Sequence, residues 1–265
     1  MGLASGGRST RPGKIKVGAY AMPIGVVVAA VIFWAALAYL HVFPESSFPS
    51  PLSVLLGFRE EYSHGLVENI IASVFRVSTG FAIAALVGVP LGLWLGLNAI
   101  ARLALLPIFN FFRSLSPLAW IPFAILWFGL GDRPTIFLIF MAAIFPITLA
   151  TLAAVAGIPS VRFRVARDYG ICGIEMLTKV TLPAVAPEVI TAMRVTAGLA
   201  WVVVVAAEML SGKDGLGFAI WDARNGLRMD LLVVNMVVIG AIGVALDRLL
   251  MQLTRIPSVR WGYEQ

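Results

Sequence analysis

Residues 164–183 read RVARDYGICGIEMLTKVTLP, the one long polar interval between apolar spans whose pattern is helical. It has no Gly/Pro cluster before Pro183, and it carries Arg164, Arg167 and Lys179 together with Asp168 and Glu175. A connection that only reversed the chain between two spans needs about 2–8 residues. The interval is long enough to be a docking element.

Around it the chain is strongly apolar. Of 265 residues, 60% are hydrophobic and 13% charged, against roughly 25% charged in a soluble domain. The expected class is therefore an all-α polytopic membrane protein. Uncharged runs at 17–43, 77–101, 114–131 and 134–161 match the roughly 17–25 residues that a spanning helix needs. Two shorter runs, 195–207 and 231–246, reach that length only by extending past Glu208 and past Asp247. Six spans are expected, the third starting near Leu103 and passing through Arg113. They fill a transmembrane domain over 17–254, between basic and polar tails at 1–16 and 255–265.

The net charge of +6 invites a nucleic-acid reading, which its distribution excludes. With the N-terminus inside, the inner segments hold most of the Arg and Lys, including Arg102, Arg162, Arg164, Arg167, Lys179 and Arg248. The outer loops hold only Arg59, Arg133, Lys213, Arg224 and Arg228. That asymmetry follows the positive-inside rule and places both termini and residues 164–183 in the cytoplasm. The lone Cys172 excludes an internal disulfide and a thiolate metal cluster, and belongs in a reducing compartment. Ala36-Leu37-Ala38 has the form of a cleavage site, but the apolar run around it is far longer than a signal core. The glycines at 2–7 followed by Arg8-Ser9 mimic a phosphate loop without the preceding strand or the lysine, and are read as chance.

Along the chain, the segment after the first span is rich in Pro and Ser and then amphipathic, which predicts a short helix at the outer interface. In the second span every fourth residue gives Ala72, Arg76, Gly80, Ala84, Gly88, Gly92 and Gly96, a small-residue strip suited to close helix packing in lipid. Arg76 is expected to snorkel to the outer surface. In the third, FFRSLSPLAWIPFAILWFGLGDRPT, Pro117 and Pro122 each remove a donor and bend the helix. Arg113, Ser114, Ser116 and Trp120 surround that bend. An ionisable residue within a span is a functional candidate by default, which selects Arg113 and, beside Trp201 and Met209 in the fifth span, Glu208. The plainer alternative pairs Arg113 with Glu208 or carries it to the inner surface. The histidines, His41 and His64, fall on the outer side without evident partners, and neither metal-ligand spacing nor a Ser-His-Asp arrangement is present.

The central segment resembles the cytoplasmic motif of permeases in binding-protein-dependent ABC importers: EAA, three residues, G, nine residues, I-x-L-P. Arg164-Val165-Ala166 stand at the EAA positions, Gly170 at the glycine and Val180-Thr181-Leu182-Pro183 at the end, with spacing matched in full. The departures are Arg for Glu, Val for Ala and Val for Ile. Ser116-Pro-Leu-Ala-Trp-Ile-Pro122, Trp127-Phe-Gly-Leu-Gly131 and Leu182-Pro-Ala-Val-Ala-Pro187 resemble the nitrate, bicarbonate, sulfonate and taurine branch. Ala206-Ala-Glu-Met-Leu210 with Gly215-Leu-Gly-Phe-Ala-Ile-Trp-Asp222 is most similar to its nitrate and bicarbonate members.

The resemblance implies a type I ABC importer permease fold of six helices and a homodimer in a bacterial inner membrane. It implies two ABC ATPase subunits that bind ATP and Mg, and a periplasmic or lipid-anchored substrate-binding protein. This chain itself would hold no cofactor and no catalytic site. Coupling to the ATPase falls on Arg164, Ala166, Asp168, Gly170, Glu175, Leu182 and Pro183, with Gly170 turning the chain between two helical pieces. Arg113 would supply positive field to an anion, Trp120, Trp127 and Trp201 the walls, and Glu208 a gate or structural partner. Nitrate is the first expectation, a sulfonate such as taurine the second, and bicarbonate a third; an ATP-independent transporter or channel is the alternative class.

Overall fold

The computed structural model describes residues 18–40, 44 and 47–253, so the tails at 1–16 and 255–265, the phosphate-loop mimic and His41 lie outside the described residues. Among the described residues every regular element is helical. The order is α1 Gly18–Tyr39, α2 Pro51–Ser63, α3 Leu66–Leu97, α4 Ala99–Ser114, a 3-10 turn Pro117–Trp120, α5 Ile121–Phe128, α6 Asp132–Ala156 and α7 Ser160–Asp168. There follow α8 Gly173–Glu175, a π-helical turn Met176–Thr181, α9 Leu182–Ser211, α10 Leu216–Asn225 and α11 Met229–Leu253.

By length and composition four helices suffice to cross a membrane: α3, α6, the continuous helix Gly173–Leu210 and α11. A fifth crossing forms if α4 and the stretch Pro117–Phe128, bent by 87° to each other, count as one. The 22 residues of α1 are about 33 Å long at 1.5 Å per residue, the thickness of the hydrocarbon core. By length and composition the crossings are thus four, or five with the bent pair as one, and α1 stands outside that count.

Two boundaries differ from the sequence reading for physical reasons. α3 begins at Leu66, well before the uncharged run at 77, because Arg76 is buried and paired and need not end the helix. The stretch expected to be an outer loop contains α10, whose Leu216, Ala219 and Ala223 are buried. Its flanking glycines hid the apolar face.

At the centre α6 packs between α3 and α9. The small-residue strip of α3 faces α6: a Cβ on Gly80 would lie 2.8 Å from the Ile136 carbonyl oxygen, one on Gly92 2.6 Å from that of Thr148, and one on Gly96 2.5 Å from Val155 Cβ. Lipid supplies no hydrophobic drive between helices, so close van der Waals contact of this kind holds them.

The interfacial helix expected after the first span is α2. Its N-cap Ser50 accepts from the Ser53 amide at 3.1 Å. Arg228 donates to both Glu60 oxygens at 2.9 and 2.6 Å, and Asn235 donates to Glu61 at 2.9 Å, which ties α2 to α11. Leu52, Leu55, Leu56 and Tyr62 remain exposed, as on a helix lying against a membrane surface. The Arg228 hydrogen bonds hold the Glu60 carboxyl below its usual range.

Gly92→Ala is expected to push α3 off α6 and cost about 1–3 kcal/mol, read as a lower melting temperature in detergent. Gly198→Ala, with nothing within 4 Å of the added Cβ, should cost nothing; equal losses would show that the α3–α6 approach is not the tight one. Because the Glu60 pKa is depressed in the fold, its contribution is present above the ordinary carboxylate pKa and is lost as pH falls through the folded value. Melting of the native chain should therefore drop more than that of Glu60→Gln on acidification below about pH 4.

Candidate functional site

Three places gather the residues selected from sequence. The first is the segment 164–183. α7 ends in paired backbone bonds: the Ile171 amide donates to the Ala166 carbonyl and the Gly170 amide to the Arg167 carbonyl, both at 2.9 Å. That Schellman closure needs a left-handed residue after the cap, and Gly170 has φ +77°. A β-carbon there would be strained. Ala166 is buried under this turn, while Arg164 and Asp168 are exposed beside it. Glu175 pairs with Lys179 at 2.8 Å on the next helical piece. Pro183 has no amide hydrogen to give the Lys179 carbonyl and its ring crowds that turn. The helix widens there into the π turn, where the Thr181 hydroxyl donates to the Met176 carbonyl at 3.1 Å. Leu182 opens α9 half in solvent or lipid.

The second place is the broken third span. Ser116 is extended, ψ 128°, as the residue before a proline must be, so the helix stops at Ser114 and restarts at Pro117. Pro122 does not bend anything; it sits in the first turn of α5, where proline is tolerated. Arg113 is exposed in the last turn of α4, favourably placed against the helix dipole. The break is walled by rings: Phe112 stacks on Phe145 at 5.6 Å, Trp120 lies 6.4 Å from Trp127, and Trp127 5.9 Å from Phe137. Ser116 is exposed at the same break, Pro117 and Trp120 are half-buried, and Trp127 is exposed.

The third place gives Glu208 the arginine partner of the plainer alternative, but not the arginine that was expected. Its partner is Arg76, not Arg113: Arg76 Nη1 donates to Glu208 Oε1 at 2.8 Å, and both side chains are buried. Arg76 therefore does not snorkel. Its Nε also donates to Asp132 at 2.6 Å, its Nη1 to the Asp214 carbonyl at 2.9 Å, and its Nη2 to the Asp214 carboxylate. Glu208 further accepts from the Ser73 hydroxyl at 2.8 Å and from the Gly217 amide at 3.0 Å, and Ser73 accepts from the Leu216 amide. Gly215-Leu216-Gly217 is wrapped on this carboxylate: a Cβ on Gly215, φ +102°, would come within 2.5 Å of it.

Ser116, Pro117, Trp120 and Trp127 thus share one break, next to Arg113. Trp201 does not join them. Its indole donates to the Ile239 carbonyl at 3.2 Å, and it packs in a different apolar cluster with Val77, Ile139 and Val204. Met209 is half-buried beside Glu208 on α9. Arg76, Ser73, Asp132 and Asp214 were missed as a group; the one signal was that Arg76 alone breaks the small-residue strip.

The fold, the motif-bearing turn and the broken span are those of a transport permease, and comparison with known proteins agrees. Residues 88–256 match the family described as binding-protein-dependent transport system inner membrane component, and the chain belongs to that family. It is 35% identical to a bicarbonate transport system permease protein of Synechococcus elongatus over 88% of each chain. It is 38% identical to a nitrate import permease protein of Leptolyngbya laminosa over 70% of this chain and 66% of the relative. A taurine transport system permease protein of Escherichia coli is 31% identical over 88% of this chain and 87% of its own. In backbone it is similar to a chain of the MetNI methionine ABC transporter in an inward-facing conformation, with TM-score 0.59 and 22% identity over 74% of this chain and 99% of that one. That likeness is one of fold.

Arg76→Ala strands Glu208 without its counter-charge in a buried site, a loss of about 3–5 kcal/mol. Expression and melting temperature should fall sharply, while Arg76→Met combined with Glu208→Leu should recover part of both. A double variant as unstable as the single one would show that the pair's charge is not what the site needs.

Proposed function

We propose that this chain is the membrane-spanning subunit of an ATP-driven importer of a small anion, with nitrate the first choice, a sulfonate such as taurine the second and bicarbonate the third. Relatives of similar identity named for bicarbonate, nitrate and taurine transport support the anion class. The observation that carries the reading within the chain is Arg113, a cation with no partner among the described residues, at the exposed edge of a broken span walled by Trp120 and Trp127. A fixed positive charge beside a low-dielectric passage favours an anion over a cation of the same size.

On this reading two copies of the chain face each other across the passage, and a substrate-binding protein delivers the anion from outside. Two ABC ATPases dock on residues 164–183 from the cytoplasm, where both termini also lie. ATP and Mg bind in the ATPases, and this chain does no chemistry. ATPase closure switches the passage between inward and outward openings as a rigid-body change between two states.

The test is uptake of labelled nitrate, taurine and bicarbonate by the complex reconstituted with its binding protein. Arg113→Ala should lower uptake of the true substrate by roughly tenfold or more, and Arg113→Lys should retain most of it. Uptake unchanged in Arg113→Ala would overturn the assignment of Arg113. Uptake in vesicles without the ATPase would favour an ATP-independent carrier.

A further inference from the structure

On α7 charge and shape describe the partner that must meet it. Arg162, Arg164 and Arg167 are all exposed, and the only acidic side chain of the helix is Asp168. Arg164 and Asp168 stand four residues apart, a spacing that lets opposite charges pair along a helix, yet they do not. The Arg164 guanidinium reaches only the Ser160 hydroxyl, at 3.5 Å. The side chains of Arg162, Arg167 and Asp168 have no hydrogen bond or ion pair among the described residues. On the neighbouring piece Glu175 and Lys179 neutralise each other. The surplus positive charge therefore belongs to α7.

The same helix borders a groove of about 500 Å³ between α7 and the start of α9, walled by Val161, Val165, Ile171, Val180 and Pro183. Tyr169 stands 81% exposed at its rim and Ile174, 80% exposed, lies just beyond in the next piece. An apolar recess bordered by the Arg162 guanidinium, on a helix that also exposes Arg164 and Arg167, suits a protein surface that offers an apolar side chain beside carboxylates. Guanidinium is the cation that matches a carboxylate with two parallel hydrogen bonds.

We infer that the ATPase subunit docking on this chain presents an acidic cleft to α7, with carboxylates opposite Arg162, Arg164 and Arg167 and an apolar side chain seated in the α7–α9 groove. This rests on the proposed docking of an ATPase at residues 164–183 and adds the sign of its charge. Arg164 stands where the motif that this segment resembles has Glu, and a carboxylate opposite it would meet the charge that this chain actually carries. Opposed charges at the rim set which ATPase is accepted more than how tightly any ATPase binds, so the arginines act as a specificity code.

Cys172 makes the test direct. It is the chain's one cysteine and is exposed within the docking segment. The purified permease–ATPase complex is labelled there with a benzophenone maleimide, irradiated and mapped by mass spectrometry. Binding of the ATPase to the permease is measured in parallel at about 0.05 and about 0.5 M salt. The expected cross-link falls on an ATPase peptide carrying two or more Asp or Glu, and wild-type binding weakens as salt shortens the Debye length. Arg164→Glu should weaken low-salt binding about tenfold, Arg164→Lys should not, and reversing a cross-linked ATPase carboxylate to Lys should restore Arg164→Glu. A cross-link to an ATPase peptide without acidic residues, or wild-type affinity in Arg164→Glu at low salt, overturns the acidic cleft while leaving the docking reading standing. A label that reaches lipid and never the ATPase overturns the docking reading, and the acidic cleft with it.

Discussion

A guanidinium inside a bundle of membrane helices must have every donor answered, and Arg76 is where this structure meets that demand. Its nitrogens reach Asp132 at the start of α6, Glu208 near the end of α9, and both the carbonyl and the carboxylate of Asp214 in the loop before α10. Asp132 and Asp214 are more than half exposed and can be solvated, whereas Glu208 is fully buried and depends on this cation. Each further ligand of Glu208, the Ser73 hydroxyl and the Gly217 amide, adds another element to the same point. The clasp thereby sets the register of α3, α6, α9 and α10 at one end of the bundle.

Below the clasp, shape replaces charge. Gly80, Gly92 and Gly96 let the α3 backbone reach α6 at distances that no side chain would allow. With α3 and α6 locked, the long helix Gly173–Leu210 becomes the element that connects the two ends of the molecule. Its 38 residues amount to about 57 Å at 1.5 Å per residue, from the turn at Gly170 to the carboxylate at Glu208. Its one irregular stretch is the π turn ahead of Pro183, where π geometry and proline weaken the ladder together. A displacement of α7 would be absorbed or passed on at that turn.

Much of this was legible in the chain itself, and the failures have a common cause. Properties that depend on neighbouring residues could be read directly: the short helix α2, the packing strip of α3, the turn at Gly170 and the break ahead of Pro117. Pairings across the fold could not. Arg76 and Glu208 are 132 residues apart, and the one local sign that sets Arg76 apart from Arg113, its place in the small-residue strip, does not name its partner. The uncharged-run rule started α3 too late because it counts a charge as an end, although a paired charge can lie inside a helix. Trp201 was grouped with Trp120 and Trp127 by residue type alone, while its position on α9 turns it toward α11. α10 was hidden by the glycines that press its start against Glu208.

The same distinction bears on substrate. On the proposed reading the wall at the broken span is one cation, Arg113, with the hydroxyls of Ser114 and Ser116 and the rings of Trp120 and Trp127 beside it. Such a wall selects by sign and by size, because it presents one fixed charge and ring surfaces in place of a pattern of oriented donors. Tight discrimination between small anions requires buried polar groups that would be left unpaired by the wrong one, and the polar side chains at this break, Arg113, Ser114 and Ser116, are exposed. On that reading the choice among small anions falls to the protein that delivers them. Relatives named for bicarbonate, nitrate and taurine transport, 35%, 38% and 31% identical to this chain, are in keeping with it.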